Sequence, residues 1–298
     1  MKKIIFITLI IIIIPFFTVV TFTNNNIDLE NDINVKVKRE NGDIETIPIE
    51  DYIIGVVAGE MSANFEIEAL KAQAVAARSY VMKKIKNSGN YDVTDNVFNQ
   101  VYLDDKDLKE KWQDEYEKNI NKIKQAVMET KGEYLVYNNE VIEAFFFSTS
   151  TGKTENCEEI FVENLPYLRS VDSSWDEEVS PVFSGTNEYN LTDFYNLLNL
   201  SYNYSLNIEI IQTTSTGRIK IIKINGVEFT GNDIYTKLNL KSTFFEIKKQ
   251  NDKVIINTKG YGHGVGMSQY GALAMAKKGY NYEEILKYYY KGVEIKKF

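Results

Sequence analysis

From Ile4 to Phe22 the chain carries no charge: every side chain is apolar, Pro or Thr. As a helix that run spans roughly 30 Å, the thickness of a bilayer's hydrocarbon core, so it predicts a membrane anchor and leaves the downstream chain to fold separately. It exceeds the apolar stretch of about 7–15 residues typical of a cleaved secretory signal, and no small-residue cleavage pattern comes after it. Lys2 and Lys3 precede the run, whereas Asn24, Asp28, Glu30 and Asp32 lie beyond it. The positive-inside rule then predicts a single-pass cell-membrane protein with a cytoplasmic N-terminus. The expected division is an anchor over 1–22, a polar tether over 23–34 and one extracytoplasmic domain over 35–298.

That domain has ordinary globular usage, since the whole chain is 44% hydrophobic and 26% charged. A net charge of −8 argues against nucleic acid as a partner. With one cysteine, Cys157, and one histidine, His263, the chain can form neither an internal disulfide nor a four-ligand zinc site of its own. No metal or other cofactor is expected.

Short alternating runs around Asn41-Gly42 predict a hairpin, and apolar steps of three and four from Ile67 to Ile85 predict a helix over 64–86. That helix is Ala-rich, and between Ala69 and Met82 only Lys71 and Arg78 are ionic, seven residues apart and so on one face. A charged helix is expected over 106–129, a hairpin with strands over 134–137 and 141–147, and a loop-rich stretch over 148–184. Further on, the pattern predicts a helix over 189–200, strands over 206–212, 218–224 and 253–258, and closing helices over 270–276 and 282–290. The fold class is a single mixed α+β domain with antiparallel sheets.

Three segments could carry chemistry. Ile53 to Met61 holds one carboxylate, Glu60, in an otherwise apolar run. Desolvation there favours its protonated form and suits a general acid and base; the alternative is a first-turn carboxylate of the next helix. In the glycine-rich loop 260–271, the spacing does not match a dinucleotide fingerprint, and His263 is either a proton-transfer group, a hydrogen-bond donor to substrate or a structural imidazole. The run Ser148 to Asn156 contains Gly-Lys-Thr but has Phe147 where a P-loop needs glycine, so it reads as a polar turn or a surface for a polyhydroxylated ligand. G-x-S-x-G is absent, and Glu158 and Glu159 beside Cys157 disfavour a thiolate nucleophile. Aromatic faces could stack on sugar rings, although core packing accounts for most of them.

Six segments, in order behind one N-terminal anchor, together resemble the stage II sporulation protein D family of peptidoglycan enzymes, related to the amidase enhancer proteins. They are Val56 to Met61, Ala69 to Tyr80, Asn99-Gln100-Val101-Tyr102, Ser148 to Asn156, Pro166 to Asp172, and Gly262 to Ala272. The resemblance implies a lytic transglycosylase that cleaves the bond between N-acetylmuramic acid and N-acetylglucosamine during spore engulfment. It places Glu60 at the catalytic position and Lys71, Arg78, Tyr102, Ser148, Ser150, Tyr167, His263, Ser268 and Gln269 among substrate-binding positions. It implies peptidoglycan glycan strands, a cell-wall amidase and membrane sporulation proteins as partners. The rival reading is a non-catalytic glycan-binding module that stimulates a partner amidase. Many relatives have a histidine in the strand where this chain has Phe145-Phe146-Phe147, so no role resting on that imidazole carries over.

Overall fold

A computed structural model describes residues 33–85, 89–96 and 99–298. The expected anchor and all but the end of the tether lie outside them; among the described residues no helix is long and apolar enough to cross a membrane. The chain enters through β1 (Asn34–Lys38), paired antiparallel with β2 (Ile44–Pro48) across the expected Gly42 turn. Val35 and Val37 point inward. Helix α1 (Ile49–Glu60) starts directly after Pro48, so the apolar run around Glu60 is itself a helix and Glu60 is its last residue.

Two glycines decide what lies against α1. A Cβ at Gly59 would come within 2.6 Å of the Val101 carbonyl oxygen, and one at Gly55 would strike the Tyr102 ring. Without side chains at these two places, the segment 99–103 can cross the helix, and it carries the Val101 amide to Glu60. Next comes α2 (Ile67–Ile85), the expected Ala-rich helix, buried almost throughout from Ala69 to Val81. A short strand, β3 (Val93–Thr94), runs parallel to β1.

The charged helix expected over 106–129 is broken into α3 (Asp105–Trp112), a 3-10 turn and α4 (Tyr116–Glu129). Leu108 and Ile120, both buried, are twelve residues apart, which is about 120° around a straight helix, so a continuous helix would set them on different faces. The break falls at Gln113, with φ of 45°.

Strands β4 (Glu133–Tyr137) and β5 (Glu140–Val141) form the expected second hairpin, with Asn138 and Asn139 both left-handed in its turn. Its second strand is shorter than expected, and the chain pairs again only at β6 (Phe146–Phe147). Short helices α5 (Cys157–Ile160) and α6 (Asp176–Val179) interrupt the loop-rich stretch.

Residues 184–259 then build a lobe of their own. It comprises β7 (Ser184–Asn190), α7 (Leu191–Leu197), β8 (Ile208–Thr213), β9 (Ile219–Ile224), β10 (Val227–Thr230), α8 (Gly231–Lys237), β11 (Phe245–Gln250) and β12 (Lys253–Lys259). Its sheets, ordered β11-β12-β7 and β10-β9-β8, are antiparallel throughout. The helix expected from residue 189 begins at Leu191, because Tyr189 and Asn190 are still paired with Val254 and Lys253. The chain returns through β13 (Met267–Ser268), parallel to β6, and then α9 (Gln269–Lys277), α10 (Tyr282–Tyr289) and β14 (Glu294–Lys297), which pairs with β4.

The mixed α+β class with antiparallel sheets is therefore observed, and the described part buries two hydrophobic clusters. The larger packs α1, α2, α4, α9 and α10 around Val57, Leu70, Val75, Ile123 and Leu286. The smaller joins Phe194, Tyr195, Ile222, Ile234 and Ile256 within the inserted lobe. A groove lies between the two.

Candidate active site

The groove has a cavity volume of about 930 Å³. One wall carries Glu60, Val101, Phe147, Ser148, His263 and Gln269; the other, from the inserted lobe, carries Thr214, Arg218, Lys220, Asn232, Tyr235 and Thr243. Glu60 Oε1 accepts the Val101 amide at 2.8 Å, and Oε2 accepts the Gln269 side-chain amide at 3.4 Å. Burial pushes the Glu60 carboxyl above its ordinary range, against the downward pull of the Val101 and Gln269 hydrogen bonds and of the Lys111 cation. The α1 macrodipole acts in the same direction as burial, because Glu60 stands at the negative end of that helix. The first-turn alternative is thus replaced by its opposite: the helix that owns Glu60 disfavours its charge.

His263 sits in the turn between β12 and β13, boxed by Phe145, Phe147 and Phe161 with ring centroids 5.4–6.0 Å away. Its Nδ1 accepts the Val265 amide at 3.1 Å, leaving the proton on Nε2. Burial and the nearby Arg218 guanidinium push it down to about 4. It is neutral at physiological pH, which removes it as an acid there and leaves a groove-lining imidazole. Two phenylalanines of the run 145–147, Phe145 and Phe147, form part of its cage.

The glycine loop is held from the inserted lobe. Arg218, 1% exposed, pairs through Nε with Glu155 at 3.1 Å and donates from Nη1 to the Gly262 carbonyl at 2.9 Å. A Cβ on Gly264 would lie 2.6 Å from Arg218 Nη2, so glycine is required where the guanidinium lies flat on the loop. Gly266, at φ of 82°, faces the Phe145 carbonyl in the same way. Gly266→Ala is expected to cost at least about 1–2 kcal/mol from backbone conformation alone, with more from the clash. Chemical denaturation checks this, and wild-type stability would mean that the loop relaxes away from Phe145.

Of the residues expected to bind substrate, Ser148, His263 and Gln269 line the groove with Glu60. The others are placed elsewhere. Lys71 pairs with Glu68 and Glu129 and lies over Tyr282. Arg78 is fully buried, bonded to Glu50 through Nε and Nη2 and to the Glu133 carbonyl through Nη1. These two cations therefore fasten α2 to its neighbours, and neither forms part of the groove. Tyr102 stacks on Tyr52 beneath the Arg39 guanidinium, and the Tyr167 hydroxyl accepts the Glu143 amide.

Ser150 and Ser268 converge on buried Asp176, whose carboxylate takes the Ser150 amide at 2.7 Å and the Ser268 hydroxyl. The Ser268 hydroxyl also caps α9 by accepting the Gly271 amide at 3.2 Å, which sets Gln269 at the groove. The Ser/Thr run is thus largely spent on the fold: Thr149, Ser150, Thr154 and Glu155 are all buried. Cys157 is buried too, and burial pushes its thiol up.

The Arg218–Glu155 pair, Asp176 and Lys111 were not legible as parts of a site. Their partners lie far away in sequence, and no local spacing marks them. Glu159 is a second carboxylate on the groove, with both oxygens accepting the Ser215 amide at 3.1 Å.

A family model described as Stage II sporulation protein matches residues 38–137, which contain Glu60, α2 and the crossing segment. Stage II sporulation protein D of Bacillus subtilis is 43% identical over 86% of this chain and 76% of its own length. Its counterpart in Bacillus amyloliquefaciens is 42% identical over 89% and 79%. An amidase enhancer of Bacillus subtilis is 32% identical over 81% of this chain but only 40% of its own. Identity at this level along most of both partners, together with the matched family model, shows that the chain belongs to the stage II sporulation protein D family.

Proposed function

We propose that this chain is a lytic transglycosylase of sporulation, cleaving the N-acetylmuramic acid to N-acetylglucosamine bond of peptidoglycan glycan strands during engulfment. The observation that carries the reading is Glu60: a half-buried carboxyl at the groove, kept protonated to higher pH than usual by burial. A hydrolysing glycosidase normally needs two carboxylates, an acid and a nucleophile or base. Glu159 also reaches the groove, spanning the Ser215 amide with both oxygens, and the chemistry is assigned to Glu60 because burial favours its protonated form.

One group suffices when the sugar supplies its own nucleophile. Glu60 donates its proton to the bridging oxygen as the bond to C1 breaks. The resulting carboxylate takes the proton of the C6 hydroxyl as O6 closes on C1, which leaves a 1,6-anhydro end and a reprotonated acid. Gln269 and the Val101 amide fix the carboxyl's orientation throughout. Residues 1–22 hold the protein at the membrane with the groove outside, where the glycan is.

The test is to incubate purified protein with purified glycan strands and read the products by mass. Anhydro-ended fragments, one water lighter than hydrolytic ones, are expected; hydrolytic ends would refute the chemistry. Intact strands would favour the second reading, for which the amidase-enhancer relative speaks: a glycan-binding module that stimulates a partner cell-wall amidase.

A further inference from the structure

We propose that Lys111 is a positioning residue for Glu60: a cation docked on the last turn of α1 that favours the carboxylate formed when Glu60 gives up its proton. The inference rests on the acid role proposed for Glu60.

Helix α1 has no basic residue in its last turn. Its final carbonyls therefore oppose the charge that Glu60 acquires, unless a cation comes from elsewhere. Lys111 comes from α3, and its Nζ donates to the Ala58 carbonyl at 2.9 Å, two residues before Glu60. The break after Trp112 ends α3 next to it, and the ammonium lies 5.9 Å from the Trp112 ring.

Among the described residues Lys111 forms no ion pair, whereas Lys109 on the same helix pairs with Asp105. Burying an ammonium without a counter-ion is costly. The acid that acts on it is Glu60, and the two groups influence each other's ionisation.

The remaining neighbours do not compete. From α9 Glu60 meets the neutral Gln269, and from the crossing segment it meets a backbone amide. On α1 itself the buried Tyr52 hydroxyl donates to Gln100. Farther along the groove His263 is neutral at physiological pH, while Arg218 and Glu159 are held by Glu155 and the Ser215 amide. Among the described residues, Lys111 is thus the cation that acts on Glu60. After the first proton transfer the ammonium faces a carboxylate; after the second it faces a neutral acid again. Its preference is for the state between the two bond changes, which makes Glu60 a stronger acid toward the bridging oxygen.

The test is a direct titration. Lys111→Gln keeps a donor for the Ala58 carbonyl and removes the charge; Lys111→Arg keeps the charge. Carbon-13 NMR of the glutamate carboxyls, with the Glu60 signal assigned by its loss in Glu60→Gln, reads the ionisation midpoint. The Gln variant is expected to titrate higher by roughly 0.5–1 pH unit, and the Arg variant to return toward wild type. Lys111→Met serves in its place should the Gln variant fold poorly. An unchanged midpoint in the charge-free variant would overturn the proposal, whether or not the protein cleaves glycan. In a cleaving protein the charge-free variants are expected to lower kcat with little change in KM and to move the alkaline limb of the rate profile upward, and Lys111→Arg to restore both. A protein that releases no anhydro ends but shows the midpoint shift would sink the transglycosylase reading and leave the Lys111 coupling standing.

Discussion

Glu60→Gln is expected to reduce release of anhydro-ended fragments by about 10²–10⁴-fold, the usual contribution of a positioned acid and base. Glycan binding should be retained. The substitution is close to isosteric: the new amide oxygen can still accept the Val101 N–H, and the Gln269 amide can turn to present its own oxygen. Only the transferable proton is lost. Its effect on stability has a definite sign. Because the carboxyl of folded Glu60 ionises above its unfolded value, the native state binds more protons than the unfolded chain between those two points, and wild-type stability falls as pH rises through that interval. Glu60→Gln should therefore melt higher than wild type near pH 7, and the difference should shrink once the pH drops below the unfolded value of 4.5. A variant that keeps wild-type cleavage would end the catalytic assignment. One that melts lower at neutral pH would show instead that the carboxylate is a structural partner.

The second large effect is on stability. Arg78→Met is expected to destabilise the fold by about 3–5 kcal/mol, because removing one partner of a buried pair strands the other. Arg78 is 0% exposed, and without it Glu50 would retain, among the described residues, only the Gly132 amide as partner, while the Glu133 carbonyl loses the Nη1 donor. Denaturant unfolding measures the loss. Glycan affinity, measured where the variant is still folded, should match wild type. A variant of normal stability and weakened binding would restore Arg78 to the substrate site.

These two residues also show how far the sequence could be read. Glu60 stood out because it interrupts an apolar run, a local contrast that needs no partner. Arg78 stood out by a similar contrast, as one of two cations on an Ala-rich helix, and the structure gives it Glu50 as partner. What it partners could not be read, since Glu50 lies 28 residues earlier on another helix and no local spacing marks the pair. Lys71 has one partner within reach of the sequence, Glu68 three residues before it, and a second, Glu129 on α4, that is not.

In the inserted lobe, β7 runs Ser-Gly-Thr-Asn-Glu-Tyr-Asn with its faces alternating between exposed and half-buried. A strand that buries so little carries no apolar alternation, so β7 went unread, although the helix and three of the strands that follow it were expected. The charged helix split for a related reason: apolar steps fix each turn locally but say nothing of whether two buried stripes share one axis.

The sequence by itself determined the mixed α+β class, the Ala-rich central helix, the Asn-turn hairpin and the family, because each is written in spacings of a few residues or in short ordered motifs. Only the tertiary structure decided that Glu60 closes a helix rather than opening one, and that a second lobe faces it. It also decided which of the polar residues serve the groove and which serve the fold. Those outcomes depend on charges and amides brought together from distant parts of the chain, where burial raises the worth of every pairing and no local pattern records the partner.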